Sequence, residues 1–197
     1  MNNNVNNNLN HSNLVKRQAL INVDYTNDFV ATDGALTCGQ PGQNIEQAIV
    51  GITKQFISQG DYVVFAIDLH KEGDELHPET KLFPPHNIAG TSGRHLYGEL
   101  QAVYDANRNN EQVYWMDKTR YSAFAGTDLE LRLHERKIEV LHLVGVCSDI
   151  CVLHTAVDAY NKGFEIVIHE KAIASFDAEG HLWSLRHFKG SLGAEIR

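Results

Sequence analysis

The sequence predicts an α/β protein: a single domain of three layers, α/β/α, with helices on both faces of a mainly parallel, Rossmann-like central sheet. Short apolar runs rich in β-branched residues alternate with stretches of helical periodicity, which is the pattern of βαβ units joined by right-handed crossovers. At 197 residues the chain has the length of one domain with a real core, and no internal repeat interrupts the alternation. Chemically notable residues also fall where successive strands end, and in open parallel sheets ligands bind beyond the carboxyl ends of the strands.

In chain order, Met1–Asn13 contains eight asparagines and almost nothing apolar. It cannot offset the entropy of its own ordering, so residues 1–16 read as a flexible tail and residues 17–197 as the domain. Gln18–Asp24 is the first expected strand, followed by a long loop with Gly34, Gly39, Pro41 and Gly42. From Asn44 the residues Ile45, Ala48, Ile49, Ile52, Phe56 and Ile57 form a helical stripe, closed by Gly60 at the C′ position. Asp61–Asp68 is the second strand. Leu69 to Gly98 then shows no period and is rich in His, Pro and Gly, far longer than the usual connection in such folds, so it is expected to build a site. Val113–Met116 is a third strand that ends at Asp117 and Lys118. Thr127-Asp128-Leu129-Glu130 has capping-box spacing for a helix through Arg136. The apolar run Ile138–Val146 is the fourth strand. Helical spacing of Ile150, Leu153, Val157 and Tyr160 places the change of period near Ser148 and Asp149. Phe164–Ile168 is a fifth strand, Ala178–Lys189 a closing helix, and a short strand fits near the C-terminus.

Composition narrows the partners. With 25 acidic against 17 basic residues, net charge -8, the chain lacks the basic excess that a nucleic-acid or anionic-membrane surface needs, and a small molecule is the expected partner. No apolar run approaches the roughly 18 residues of a membrane span, and the N-terminus lacks a signal-peptide layout, so a cytoplasmic location is expected. Three cysteines, two of them four residues apart, argue against a disulfide framework. A homo-oligomer is left open.

One strand edge collects Asp24, Asp68, Lys118 and Cys151. In the first turn of a helix, Cys151 would meet unpaired N–H groups and the positive end of the helix dipole, which lower a thiol pKa from about 8.5. Lys118 would stabilise the thiolate, and Asp24 would take the thiol proton and return it to a leaving group. The backbone N–H groups of Cys147 and Cys151 are the expected oxyanion donors. The bland alternative is a small core cysteine beside solvated charges. A second cluster is Asp68-Leu69-His70, whose alternate side chains share a face, with Glu79 and His86 returned by the loop. Mixed imidazole and carboxylate suits Zn, Fe or Mn with open positions for water or substrate. His77 is a further candidate ligand, whereas His142 and His169 lie in or beside strands and read as structural. Phe29, Phe83 and Tyr121 either sandwich a flat ring beside the cysteine or simply pack the core.

With these residues assembled, the chain resembles the nicotinamidases (pyrazinamidases) of the isochorismatase-like cysteine hydrolase superfamily, from about Ala19 to the C-terminus. The resemblance rests on Val23–Phe29, on Asp68-Leu69-His70 with Phe83-Pro84-Pro85-His86 and Gly90–Gly93, on Asp117-Lys118 with Tyr121–Phe124, and on Gly145–Val152. It implies a catalytic triad of Asp24, Lys118 and Cys151. It also implies one divalent metal ion on Asp68, His70 and His86, zinc first with iron or manganese as alternatives. Glu79 is similar in placement to a fourth ligand of one subgroup. Phe29, Phe83 and Tyr121 match positions that enclose the ring, and the Val146–Cys147 peptide matches one that is cis in the family. Phe83 stands where many members have Trp, and Cys147, a spare thiol near the nucleophile, where many have Ala. The implied activity is hydrolysis of nicotinamide to nicotinic acid and ammonia through a Cys151 thioester, a step of NAD salvage, with pyrazinamide also deamidated. The alternatives are a relative acting on another small amide, a metal-free relative acting on isochorismate or N-carbamoyl compounds, and a catalytically dead binding member.

Overall fold

The computed structural model describes residues 16–197. The Asn-rich segment expected to form a tail therefore lies outside the described residues, except for Lys16, which pairs with Glu165. Six strands, β1 (Gln18–Val23), β2 (Tyr62–Asp68), β3 (Val113–Lys118), β4 (Val140–Val146), β5 (Glu165–Ala174) and β6 (Glu195–Ile196), form one sheet in the order β3-β2-β1-β4-β5-β6. Every pairing is parallel. Strands buried on both faces need apolar residues at every position, which is why the runs are continuous rather than alternating.

The period of two divides those runs between the faces. Ala19, Ile21 and Val23 of β1 join Val64 and Ala66 of β2 and Leu141 and Leu143 of β4 in one core. That core is closed by α5 (Leu129–Glu135), α6 (Cys151–Asn161) and α7 (Ala178–Gly190). Leu20, Val63, Phe65, Ile67, Val144 and Val146 face the other core, under α3 (Glu46–Gln59) and α4 (Glu99–Asn107). Short helices α1 (Asn27–Val30) and α2 (Gln40–Asn44) flank the same side. Gly60, left-handed at φ 75°, ends α3 at the expected place.

Strand order reverses between β1 and β4, which makes their carboxyl ends the topological switch point. Gly145 lets them meet there: at φ 119°, a Cβ on it would lie 1.9 Å from the Val23 carbonyl oxygen. The chain leaves β1 through Asp24, itself at φ 53°, with its N–H donated to the Ala66 carbonyl at 3.1 Å.

Several expectations need correction. Sequence periodicity does not reveal helix α4, because only Leu100 and Val103 of its nine residues are buried, too thin a stripe to register a period. The capping box does not close. Asp128 is the N-cap of α5, and the Thr127 hydroxyl donates to the Ala123 carbonyl while accepting from Leu129 N–H. β5 runs past Ile168 to Ala174. Its pairing with β4 jumps from Leu143–Ile168 to Gly145–Ile173, so a polar bulge hides the continuation from sequence periodicity.

Candidate active site

Four strand ends deliver the side chains. Asp24 follows β1, Asp68 and Lys118 are the last residues of β2 and β3, and Cys151 opens α6 after β4. Lys118 is buried, with its Nζ 2.7 Å from Asp24 Oδ2, 3.6 Å from Asp68 Oδ1 and 3.7 Å from Cys151 Sγ. The Arg120 carbonyl accepts from the same ammonium at 3.1 Å, and Asp24 Oδ1 accepts the Asp68 N–H at 2.8 Å. A buried cation ringed by acids holds its proton: burial works against the charge, but Asp24, Cys151 and Asp68 outweigh it and push the Lys118 pKa well up.

The thiol behaves differently from the sequence expectation. Burial, together with the Asp24 and Asp68 carboxylates, pushes the Cys151 pKa well above its ordinary value, and Lys118 offsets only part of this. That direction favours the thiol over the thiolate. Burial also raises the Asp24 carboxyl to about 6 against the opposing pull of Lys118, which makes it a stronger base than an exposed aspartate. The Val146–Cys147 peptide is cis, and the Cys147 carbonyl accepts from Ile150 and Val152 N–H, each at 3.1 Å. Among the described residues, neither the Cys147 nor the Cys151 N–H donates to a protein acceptor.

The loop Leu69–Gly98 is pinned on both sides. Arg94 Nε donates to the Asp68 carbonyl at 2.7 Å, and its Nη2 lies 2.6 Å from Asp117 Oδ1. Asp28 Oδ2 accepts the Asn87 N–H at 2.7 Å, and Asn87 Oδ1 accepts the Thr26 hydroxyl at 3.0 Å. So held, the loop returns Glu79 and His86 to Asp68 and His70. All four are buried, and their ligand atoms lie within 4.8 Å of one another. His86 Nδ1 donates to the Pro84 carbonyl at 2.8 Å, which leaves Nε2 as the free lone pair of the neutral ring. That Nε2 has no hydrogen-bond partner and faces Asp68 Oδ2 at 3.5 Å and Glu79 Oε2 at 3.6 Å. Donors on a tetrahedral ion with bonds near 2.1 Å are spaced about 3.4 Å apart, so the spacings from His86 to Asp68 and Glu79 suit a divalent cation, whereas His70 Nε2 lies 2.6 Å from Asp68 Oδ2, at hydrogen-bond distance, and would give up that contact to join it. Without a cation a proton takes its place: burial opposes charge on His86, but Asp68 and Glu79 raise its pKa to about 10. Burial likewise opposes the Asp68 carboxylate, yet Lys118, His70 and His86 hold its pKa below the usual range.

His77 is not part of this group. Its Nδ1 accepts the Glu79 N–H and its Nε2 donates to the Thr119 carbonyl at 2.8 Å, so both ring nitrogens are engaged. It packs against the His70 ring, with centroids 4.3 Å apart. His142 and His169 pair with each other at 2.9 Å, well away in the sheet.

Phe29, Phe83 and Tyr121 do converge: with Cys147 and Cys151 they line one narrow apolar cleft. Glu79 and Phe83 border both this cleft and a cavity of about 400 Å³ that His70 and His86 also line. Sequence reasoning missed Leu36, Ile150 and Phe176, which complete the cleft wall, and the braces Asp28 and Arg94. Asp28 and Ile150 lie inside segments already singled out. Arg94 lies in the long loop already expected to build a site, whereas Leu36 and Phe176 carried no signal, because only folding brings their loops here.

Fold and site together define the class: a doubly wound α/β protein with a buried cysteine, lysine and aspartate at its switch point and a metal-type cluster beside them. The chain belongs to the isochorismatase family, whose domain matches residues 18–197. It is 66% identical to the uncharacterized isochorismatase family protein PncA of Bacillus subtilis (strain 168), covering 91% of this chain and 98% of that one. The crystal structure of nicotinamidase/pyrazinamidase PncA from B. subtilis superposes with a TM-score of 0.91 at 63% identity, covering 91% and 98% of the two chains. The pyrazinamidase of Pyrococcus horikoshii in complex with zinc gives a TM-score of 0.79 at 26% identity, covering 92% and 98%.

Proposed function

We propose that the protein is a nicotinamidase, hydrolysing nicotinamide to nicotinic acid and ammonia for NAD salvage in the cytoplasm and also deamidating pyrazinamide. The observation that carries the reading is one cleft that Cys151 lines together with Phe29, Phe83 and Tyr121, and that Glu79 joins to the metal-type group. Close similarity to proteins named nicotinamidase supports the substrate.

In this mechanism Asp24 takes the Cys151 thiol proton, through the buried cluster in which Lys118 lies 2.7 Å from Asp24 and 3.7 Å from Cys151. The Lys118 ammonium stabilises the thiolate, which attacks the carboxamide carbon. The N–H groups of Cys147 and Cys151 receive the developing oxyanion, and Asp24 returns the proton to the leaving ammonia. Water then hydrolyses the thioester, with Asp24 again as base. Asp68, His70, Glu79 and His86 would hold one divalent ion, zinc first; when bound it supplies a Lewis-acid contact that anchors the ring nitrogen. A zinc-bearing pyrazinamidase relative supports that choice.

The test is to follow ammonia and nicotinic acid production from nicotinamide with metal content measured on the same sample. The wild type releases both in equal amounts, and Cys151→Ala, still folded, releases neither above background. Full turnover by that variant, or preference for an N-carbamoyl substrate, would defeat the proposal.

A further inference from the structure

One pair of reactive side chains stands outside this chemistry. Cys38, in the coil between α1 and α2, and Cys147, in the turn after β4, are 109 residues apart in sequence, yet their sulfurs lie 3.2 Å apart. Both are buried, at 4% and 6% exposure. A disulfide needs about 2.05 Å between sulfurs, so closure requires a shift of about 1.2 Å, within reach of small side-chain and backbone adjustments.

The two thiols differ in access. Cys147 lines the apolar cleft, and Cys38 lies behind it and outside the cleft wall. Cys38 is tied to the cleft wall through its backbone, its N–H being donated to the Phe29 carbonyl at 2.8 Å. Phe29 is itself a wall of the cleft. We propose that Cys38 and Cys147 are a redox modification site, forming a reversible disulfide that fastens the cleft wall to the turn carrying Cys151.

The chemistry balances with a peroxide as oxidant. Cys147 gives up its proton and the thiolate attacks hydrogen peroxide; the O–O bond breaks, a sulfenic acid forms, and the departing hydroxide takes up the proton as one water. Cys38 then attacks that sulfur, the S–O bond breaks, and the disulfide and a second water form. Burial of both sulfurs excludes bulky or charged reagents and admits a small neutral oxidant. The Cys38 contact and burial push the Cys147 pKa up, so only a small thiolate fraction reacts and the oxidation is slow. A cross-link spanning this much chain also restricts the unfolded state.

The test treats the full chain with graded hydrogen peroxide, removes the excess with catalase, blocks free thiols and maps peptides by mass. The expected product is a Cys38–Cys147 cross-linked peptide pair, lighter by two hydrogens and released by dithiothreitol. The cross-linked protein should show a raised Tm and a severalfold slower alkylation of Cys151 by iodoacetamide, both reversed on reduction and both absent in Cys38→Ala. Cys38→Ser provides the same control should the alanine variant be unstable. Oxidation of Cys151 with Cys38 and Cys147 left as thiols, a Cys147–Cys151 bond in place of the expected one, or a cross-link that leaves Cys151 alkylation unchanged would each overturn the proposal.

Discussion

At the scale of single residues, the decisive feature is the concentration of charge around Lys118. One ammonium touches Asp24, Asp68 and the Cys151 sulfur with no exposed side-chain surface of its own. Removing one partner of a buried pair leaves the other charged and unsolvated, at a cost of about 3–5 kcal/mol. Lys118→Met is therefore expected to lose that much stability in urea unfolding, and the double variant with Asp24→Asn to recover a good part of it. A loss of only about 0.5 kcal/mol, the value of a surface pair, would show that the cluster is not the desiccated one described. The thiol teaches the same lesson. The helix N-terminus and Lys118 favour a thiolate, but burial beside two carboxylates pushes the Cys151 pKa up, and burial raises the neighbouring Asp24 carboxyl to about 6.

At the scale of elements, the site depends on how closely β1 and β4 approach at the reversal of strand order. Gly145 permits that approach, because any Cβ there would collide with the Val23 backbone in a conformation that other residues rarely adopt. Gly145→Ala should separate the strand ends that carry Asp24 and Cys151, lowering Tm by many degrees and activity with it. Gly51→Ala is the counter-case. Gly51 is an exposed residue inside α3 with open space where its Cβ would go, and the change should stabilise by about 0.5–1 kcal/mol in the same assay. Equal effects from the two would refute the geometric argument. The loop Leu69–Gly98 shows the complementary case of an element without periodicity, held in place by side chains: Arg94 ties it to β2 and β3, and Asp28 ties it to α1.

At the scale of the whole molecule, two linkages tie the site and the sheet to overall stability. If a divalent ion occupies Asp68, His70, Glu79 and His86, it binds only the folded chain, so removal by a chelator should lower Tm and re-addition of zinc should restore it in a concentration-dependent way. An unchanged Tm after confirmed metal loss would leave the cluster without that role. The second linkage lies in the sheet. Burial, reinforced by His169 and Arg197, lowers the His142 pKa to about 4, below the value near 6.5 expected of an unfolded histidine. A group depressed in the folded state contributes stability that is full above pH 6.5 and lost as pH falls toward 4, on the order of 2–3 kcal/mol. Unfolding midpoints taken from pH 7.5 down to 4.5 should show that decline, and His142→Gln should flatten it.

The sequence by itself determined the architecture and the cast of the site. Continuous apolar runs reveal strands buried on both faces, and Asp24, Asp68, Lys118 and Cys151 stand at run ends where a parallel sheet must place them together. Glu79 and His86 were legible because a histidine-rich loop of that length has few other reasons to exist. Only the tertiary structure decided the protonation of Cys151, the exclusion of His77 from the ligand group, the cleft walls Leu36, Ile150 and Phe176, and the meeting of Cys38 with Cys147. The physical reason is one of range. Periodicity and turn chemistry act between near neighbours in the chain and can be read along it, whereas desolvation, charge proximity and packing depend on which distant segments the fold brings within a few ångströms.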